Sequence, residues 1–256
     1  MGICPNEERE SNNMIDIHCH ILPGIDDGAR NLRDAQTMLM LQRSIGVDRM
    51  FLTPHFHPEK KTLSEFLADR ENAWCVFSAE MDASVKKQIR LGAEVQYCQG
   101  LLSLDLRKLT LGDSNYLLLE FPSHYPTYAV QIMEKLMSYG LVPILAHVER
   151  YSYFREEPEL LKRLINLGVL AQVSAQSLFD KKDKHFAFAC LSHKLAQIIA
   201  SDAHNITNRR PCMDLLHKLP EEIRNLHDAF TTAVWENAEP AYISASSVKK
   251  TFLGYR

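Results

Sequence analysis

The residues of this chain that could do chemistry sit at the ends of short apolar runs. Met14-Ile15-Asp16-Ile17 leads into His18 and His20, Met50-Phe51-Leu52 into His55, and the run 89–93 into Glu94. The run 116–119 leads into Glu120, 141–146 into His147, and 198–201 into Asp202 and His204. A seventh run, 169–173, ends in Ser174 instead. Imidazole and carboxylate together make a ligand set for zinc, iron or manganese. Runs this short read as buried parallel strands where helical patterns alternate with them, and a parallel barrel gathers the C-terminal ends of its strands on one face. These side chains would then converge on one pocket, and that pocket is a metal site.

Local spacing sharpens the expectation. Residues two apart on a strand share a face, so Asp16, His18 and His20 should line up, with Asp16 orienting one imidazole from behind. Cys19, between the two histidines, should point away as a small filler. His-x-His alone is a weak signal. The loop Leu22-Pro23-Gly24-Ile25-Asp26-Asp27-Gly28 offers two carboxylates, one to cap the next helix and one free to ligate. Ser201-Asp202-Ala203-His204-Asn205 repeats the alternate-residue pattern at the last run. A buried carboxylate such as Glu94 or Glu120 needs a partner, because desolvation without one costs several kcal/mol. The donors outnumber what one tetrahedral ion can use, which points to about two to three ions per chain.

The elements that must position these groups alternate between strand and helix. Helical patterns cover 31–45, 63–87, 128–139, 157–167, 180–195 and 221–236, with Pro158 in a first turn and Gly46, Gly140 and Gly168 as stops. Alternation predicts β/α units, and seven runs suit a distorted (β/α)7 barrel better than the usual eight-stranded one. An open doubly wound sheet would instead place ligands at a single crevice. A chain of 256 residues accommodates one large α/β domain at 14–256, behind a polar, acidic N-terminal extension at 1–13. A net charge of −3 with no basic block argues against nucleic acid, and no apolar stretch is long enough for membrane insertion. Six cysteines without paired spacing, and an opening segment unlike a secretory signal, point to the cytoplasm. None of the cysteines is followed six positions later by arginine, so a cysteine-dependent phosphatase loop is absent. Serine-hydrolase, P-loop and dinucleotide-binding motifs are absent as well.

Taken together, Asp16-Ile17-His18-Cys19-His20, Leu22 to Gly28, Thr53-Pro54-His55, Gly92-Ala93-Glu94, Glu120-Phe121-Pro122, His147-Val148-Glu149-Arg150 and Ser201 to Asn205 resemble the polymerase-and-histidinol-phosphatase (PHP) superfamily. Within it, the chain resembles the bacterial metal-dependent protein-tyrosine phosphatases that accompany capsule and exopolysaccharide tyrosine kinases. The resemblance spans 14–210 and implies a phosphomonoesterase with a trinuclear manganese, iron or zinc centre in a TIM-like barrel, the PHP fold. It further implies that His18, His20, Glu94 and Asp202 hold one ion, that Glu94 bridges to a second completed by Glu120 and His147, and that Asp27, His55 and His204 hold a third. Arg150 and Arg209 match the arginines that clamp phosphate; Arg209 is chosen over Arg210 by its spacing from His204. His57 and His124, just past run ends, are expected at the rim as substrate contacts. The substrate implied is a phosphotyrosine protein, the tail of a tyrosine kinase, attacked by metal-activated hydroxide. A small-molecule phosphatase acting on histidinol phosphate is the alternative, and a catalytically silent module that keeps metals as struts is a third. Val148 and Ala238 stand where the family usually has proline, and Leu91 precedes Gly92. His185, His193, His217 and His227 lie on helical patterns and are expected away from the site.

Overall fold

The computed structural model describes residues 14–238, so the extension at 1–13 lies outside them. Among the described residues the order is β1 (Met14–Cys19), α1 (Leu32–Ser44), β2 (Val47–Leu52), β3 (His55–Phe56), α2 (Leu63–Ser78), α3 (Ala83–Lys86), β4 (Ile89–Leu91) and β5 (Glu94–Gln96). There follow β6 (Tyr116–Glu120), α4 (Ala129–Ser138), β7 (Val142–Leu145), α5 (Ser152–Glu156), α6 (Pro158–Leu167), β8 (Leu170–Ser174), α7 (Lys184–Ser192), β9 (Ile198–Ala200) and α8 (Glu221–Glu236).

Nine strands come from the seven apolar runs because two runs are interrupted. Pro54, which has no N–H to give a ladder, separates β2 from β3. Gly92 separates β4 from β5, and a Cβ there would come within 2.8 Å of the Leu111 side chain. Every pairing is parallel, in the orders β1-β2-β4 and β3-β5-β6-β7-β8-β9, so one set takes over from the other at the two interruptions. The sheet curls far enough for its first and last strands to meet. Cys19 bridges Ala203, Asp202 N–H donates to His18 O at 2.8 Å, and His20 N–H donates to Ala203 O at 2.9 Å. The C-terminal ends of β1 and β9 are thereby stitched together where both carry site residues.

The helices follow local rules. Asn31 caps α1 by accepting from Asp34 N–H, and Thr62 and Glu65 form a reciprocal capping box on α2. Gly168 ends α6 with φ +107°, a conformation other residues rarely adopt. The single helix expected over 63–87 is two, because Asp82 turns extended (φ −60°, ψ 143°) and starts α3 afresh. The helix expected over 180–195 is shorter, Lys184–Ser192, with a 3-10 turn at Gln176–Leu178 before it. One apolar cluster fills the space between sheet and helices, and a second joins Ile17, Leu118, Ile144 and Ile198 to Phe230, Val234 and Trp235 of α8. No helix among the described residues is long and apolar enough to cross a membrane.

Candidate metal centre

His18 and His20 project from the end of β1 with both rings fully buried. Their Nε2 atoms face each other at 3.1 Å. Glu94 Oε2, from the start of β5, lies 3.2 Å from His18 Nε2 and 3.3 Å from His20 Nε2. Asp202 Oδ1 closes the group at 3.5 and 3.6 Å. Around it, His147 Nε2 is 2.8 Å from Glu94 Oε1 and 3.8 Å from Glu120 Oε1. His55 presents Nδ1 to Glu94 at 2.9 Å and Nε2 to Asp27 at 3.4 Å, and His204 Nε2 lies 3.5 Å from the same Asp27 oxygen. All nine sequence-derived ligand candidates thus meet at one rim. Three sets of donors lie close enough to share an ion: His20, Asp27, His55 and His204; His18, His20 and Asp202; His55, Glu94 and Glu120.

The donor chemistry fits cations. Tetrahedral ligands at bond lengths near 2.1 Å stand about 3.4 Å apart, within the 2.8–3.8 Å range that separates these donors. His20 Nδ1 is 2.7 Å from Asp26 Oδ2 and so carries a hydrogen there, which turns Nε2 toward His18 Nε2. Two imidazole nitrogens 3.1 Å apart beside two carboxylates call for a proton or a metal between them. Buried Nε2 of His204 and Oε2 of Glu94 have no hydrogen-bond partner, as expected of atoms that ligate instead.

The same conflict shows in the acid–base balance. Burial lowers the pKa of His20, but Asp26 and Glu94 outweigh it and hold the ring at about 10. His55 and His147 are raised for the same reason, Glu94 overcoming burial. His204 goes the other way, to about 2, through burial and the neighbouring His20. Burial raises the Glu94 carboxyl, yet His18, His147 and His20 hold it well below the carboxylate range. Asp202 is likewise held low despite burial, by His18, Arg150, His147 and Arg209. Proton and metal compete for these nitrogens.

The arginines approach from the open side. Arg209 grips Asp202 with one nitrogen, 2.9 Å from Oδ1 and 2.8 Å from Oδ2, and Arg150 pairs with the same Oδ2 and with Ser174 Oγ. The side chains of Arg150 and Arg209 are 38% and 34% exposed, so both are open to solvent beside the cluster. His57 stacks against His55 at 5.3 Å and is held by Gln96 at 2.8 Å. His124 lies exposed in the loop after β6 and belongs to none of the donor sets.

Two expectations of position need correction. Asp16 does not orient an imidazole: its carboxylate accepts from the Ser201 N–H at 3.0 Å and from Gln42 and the Ser201 hydroxyl, tying β1 to β9. Neither aspartate of the loop caps α1, since Asn31 does; Asp26 instead holds His20 and accepts the N–H groups of Gly28 and His55, each at 2.9 Å. Cys19 does turn away, into the larger apolar cluster. Sequence reasoning missed Asp26 as a support, Gln172 between His18 and His147, and Glu149, which accepts from Ser174 N–H and the Ser177 hydroxyl. Only Asp26 carried a signal, being adjacent to Asp27 in a turn.

A curled parallel sheet bearing this cluster on one rim defines an α/β protein with a metal-type centre at its strand ends. Residues 14–239 match the family described as capsular polysaccharide synthesis, CpsB/CapC, and the chain belongs to that family. It is 36% identical to the tyrosine-protein phosphatase YwqE of Bacillus subtilis over 203 residues, covering 77% of this chain and 79% of that protein. It is 30% identical to the tyrosine-protein phosphatase CpsB of Streptococcus pneumoniae over 217 residues, covering 78% and 86%. A crystal structure from work on YwqE and CpsB, described as unique metal-dependent tyrosine phosphatases, superposes with a TM-score of 0.78 and 30% identity over 88% of this chain and 96% of that one.

Proposed function

We propose that this chain is a metal-dependent protein-tyrosine phosphatase, a single domain over 14–256 whose curled sheet is a distorted (β/α)7 barrel of the PHP kind. The observation that carries the reading is the convergence of nine imidazole and carboxylate donors, with two histidine Nε2 atoms only 3.1 Å apart, in a relative of named tyrosine phosphatases. His18, His20, Glu94 and Asp202 would hold one ion, Glu94, Glu120 and His147 a second, and Asp27, His55 and His204 a third. Manganese, iron and zinc all suit this donor set. Bound there, the metals supply charge that neutralises a phosphate dianion and water acidified toward a pKa of ~7.

The protein's own groups do the rest. Arg150 and Arg209 offer planar forks to the phosphoryl oxygens and counter the charge that spreads over them in the transition state. Their shared grip on Asp202 keeps both poised at the donor cluster. Asp26 holds the His20 ring by its Nδ1 hydrogen, so that the same nitrogen of the ring always faces the centre. His57 and His124 stand at the rim side of the strands, where substrate flanks would pass. Phenolate is a fair leaving group, so strong protonation at the ester oxygen is not required. The substrate is a phosphotyrosine protein, the tail of a tyrosine kinase serving capsule or exopolysaccharide synthesis, met in the cytoplasm. The five described cysteines, all free, suit a reducing compartment.

Manganese-loaded protein should hydrolyse a phosphotyrosine peptide with a kcat/KM far above that for histidinol phosphate. The reverse preference would move the assignment to a small-molecule phosphatase.

A further inference from the structure

β8 brings no ligand to the centre, yet its residue Gln172 touches two of them. The side chain is fully buried. Its Oε1 accepts the His147 N–H at 2.9 Å and lies 3.2 Å from His18 Nδ1. The first contact settles which atom is oxygen, because an amide nitrogen cannot accept a backbone N–H. The second then has one solution: an oxygen that only accepts requires hydrogen on His18 Nδ1. Nε2 is then the nitrogen that faces Glu94 Oε2, 3.2 Å away, and Asp202 Oδ1, 3.5 Å away, as a ligand atom should.

The His147 contact is equally specific. His147 has φ +36° and ψ +53°, in the left-handed region that side-chain-bearing residues seldom occupy. Its N–H is held by Gln172 rather than by a strand neighbour. Gln172 therefore reaches past β9 to β1 on one side and back to the end of β7 on the other. Its own Nε2 has no hydrogen-bond partner, so packing alone would be better served by an apolar residue of similar size.

We infer that Gln172 is a positioning residue of the metal centre, which with one oxygen fixes the tautomer of His18 and the backbone of His147. The inference rests on the metal-centre reading above. The test compares wild type, Gln172→Leu and Gln172→Glu for zinc affinity by chelator competition. Proton–nitrogen correlation spectra of the zinc-loaded proteins follow the His18 Nδ1–H resonance. Gln172→Leu should lose about 10–100-fold in affinity and shift that resonance upfield as its acceptor disappears. Gln172→Glu, which keeps an acceptor oxygen, should bind zinc about as tightly as wild type. Wild-type affinity and an unmoved resonance in Gln172→Leu would overturn the inference, as would equal loss in both variants. If wild type itself takes up no zinc, the metal-centre reading fails separately. The Nδ1–H resonance of metal-free protein then decides this inference: moved by Gln172→Leu it stands, unmoved it falls.

Discussion

His18 and His20 are the groups whose geometry makes a cation hardest to avoid. Their facing nitrogens and the carboxylates of Glu94 and Asp202 force a choice between protons and metal. Because His20 is held near 10 in place of its ordinary 6.5, metal uptake must displace a proton even at pH 8. Affinity should rise with pH through that range, and a weakly buffered titration with zinc at pH 8 should acidify. No acidification would contradict the proton–metal competition. The arginines contribute differently. Arg150→Ala should lower phosphotyrosine turnover by about 10²–10³-fold, with metal content near wild type by elemental analysis; loss of metal would show that Arg150 serves Asp202 instead of substrate. Eight of the nine ligand candidates were legible in the sequence because each sits where an apolar run stops; Asp27 was signalled instead by the paired carboxylates of a turn. Gln172 was not, since a residue that supports a ligand has no fixed spacing from it: Gln172 meets His18 across 154 positions.

Elements bring these residues together through close backbone approaches as much as through strands. Gly28 shows this most clearly. A Cβ at Gly28 would lie 2.2 Å from His20 O and 2.5 Å from His20 Cβ, with Asp26 Oδ1 at 2.9 Å. Gly28→Ala should therefore push the Asp26–Asp27 loop off β1 and lower metal occupancy, read by elemental analysis, while Gly100→Ala, whose Cβ would meet nothing nearer than Ser103 Oγ at 3.8 Å, should not. Equal occupancy in both would remove the loop from the account. Helix ends and strand runs were readable because caps, Pro158 and Gly168 are local signals. The break between α2 and α3 was not: the apolar pattern runs through 63–87, and only the extended Asp82 divides it. The splitting of two runs at Pro54 and Gly92 has the same origin, a backbone event inside an unbroken hydrophobic pattern.

At the scale of the whole molecule, the curled sheet sets active groups on one rim and leaves its far layers to stability. His227 belongs to the latter. Fully buried on α8, it accepts the Ile199 N–H at 3.2 Å, and burial pulls its pKa from 6.5 to about 4. Below pH 6.5 the unfolded chain binds a proton there that the folded one refuses, so stability falls as pH drops from 6.5 toward 4 and levels off below. The loss is at most about 3 kcal/mol. His227→Gln, which keeps an acceptor but does not titrate, should flatten this part of the curve in urea unfolding at pH 7.5 and 4.5; an unchanged slope would assign the acid sensitivity elsewhere. Metal and reaction should occur together in one protein. Protein purified without chelator should contain about two to three ions per chain by elemental analysis, and should hydrolyse a phosphotyrosine peptide in a reaction abolished by EDTA and restored by manganese. Hydrolysis that survives complete removal of metal would contradict it.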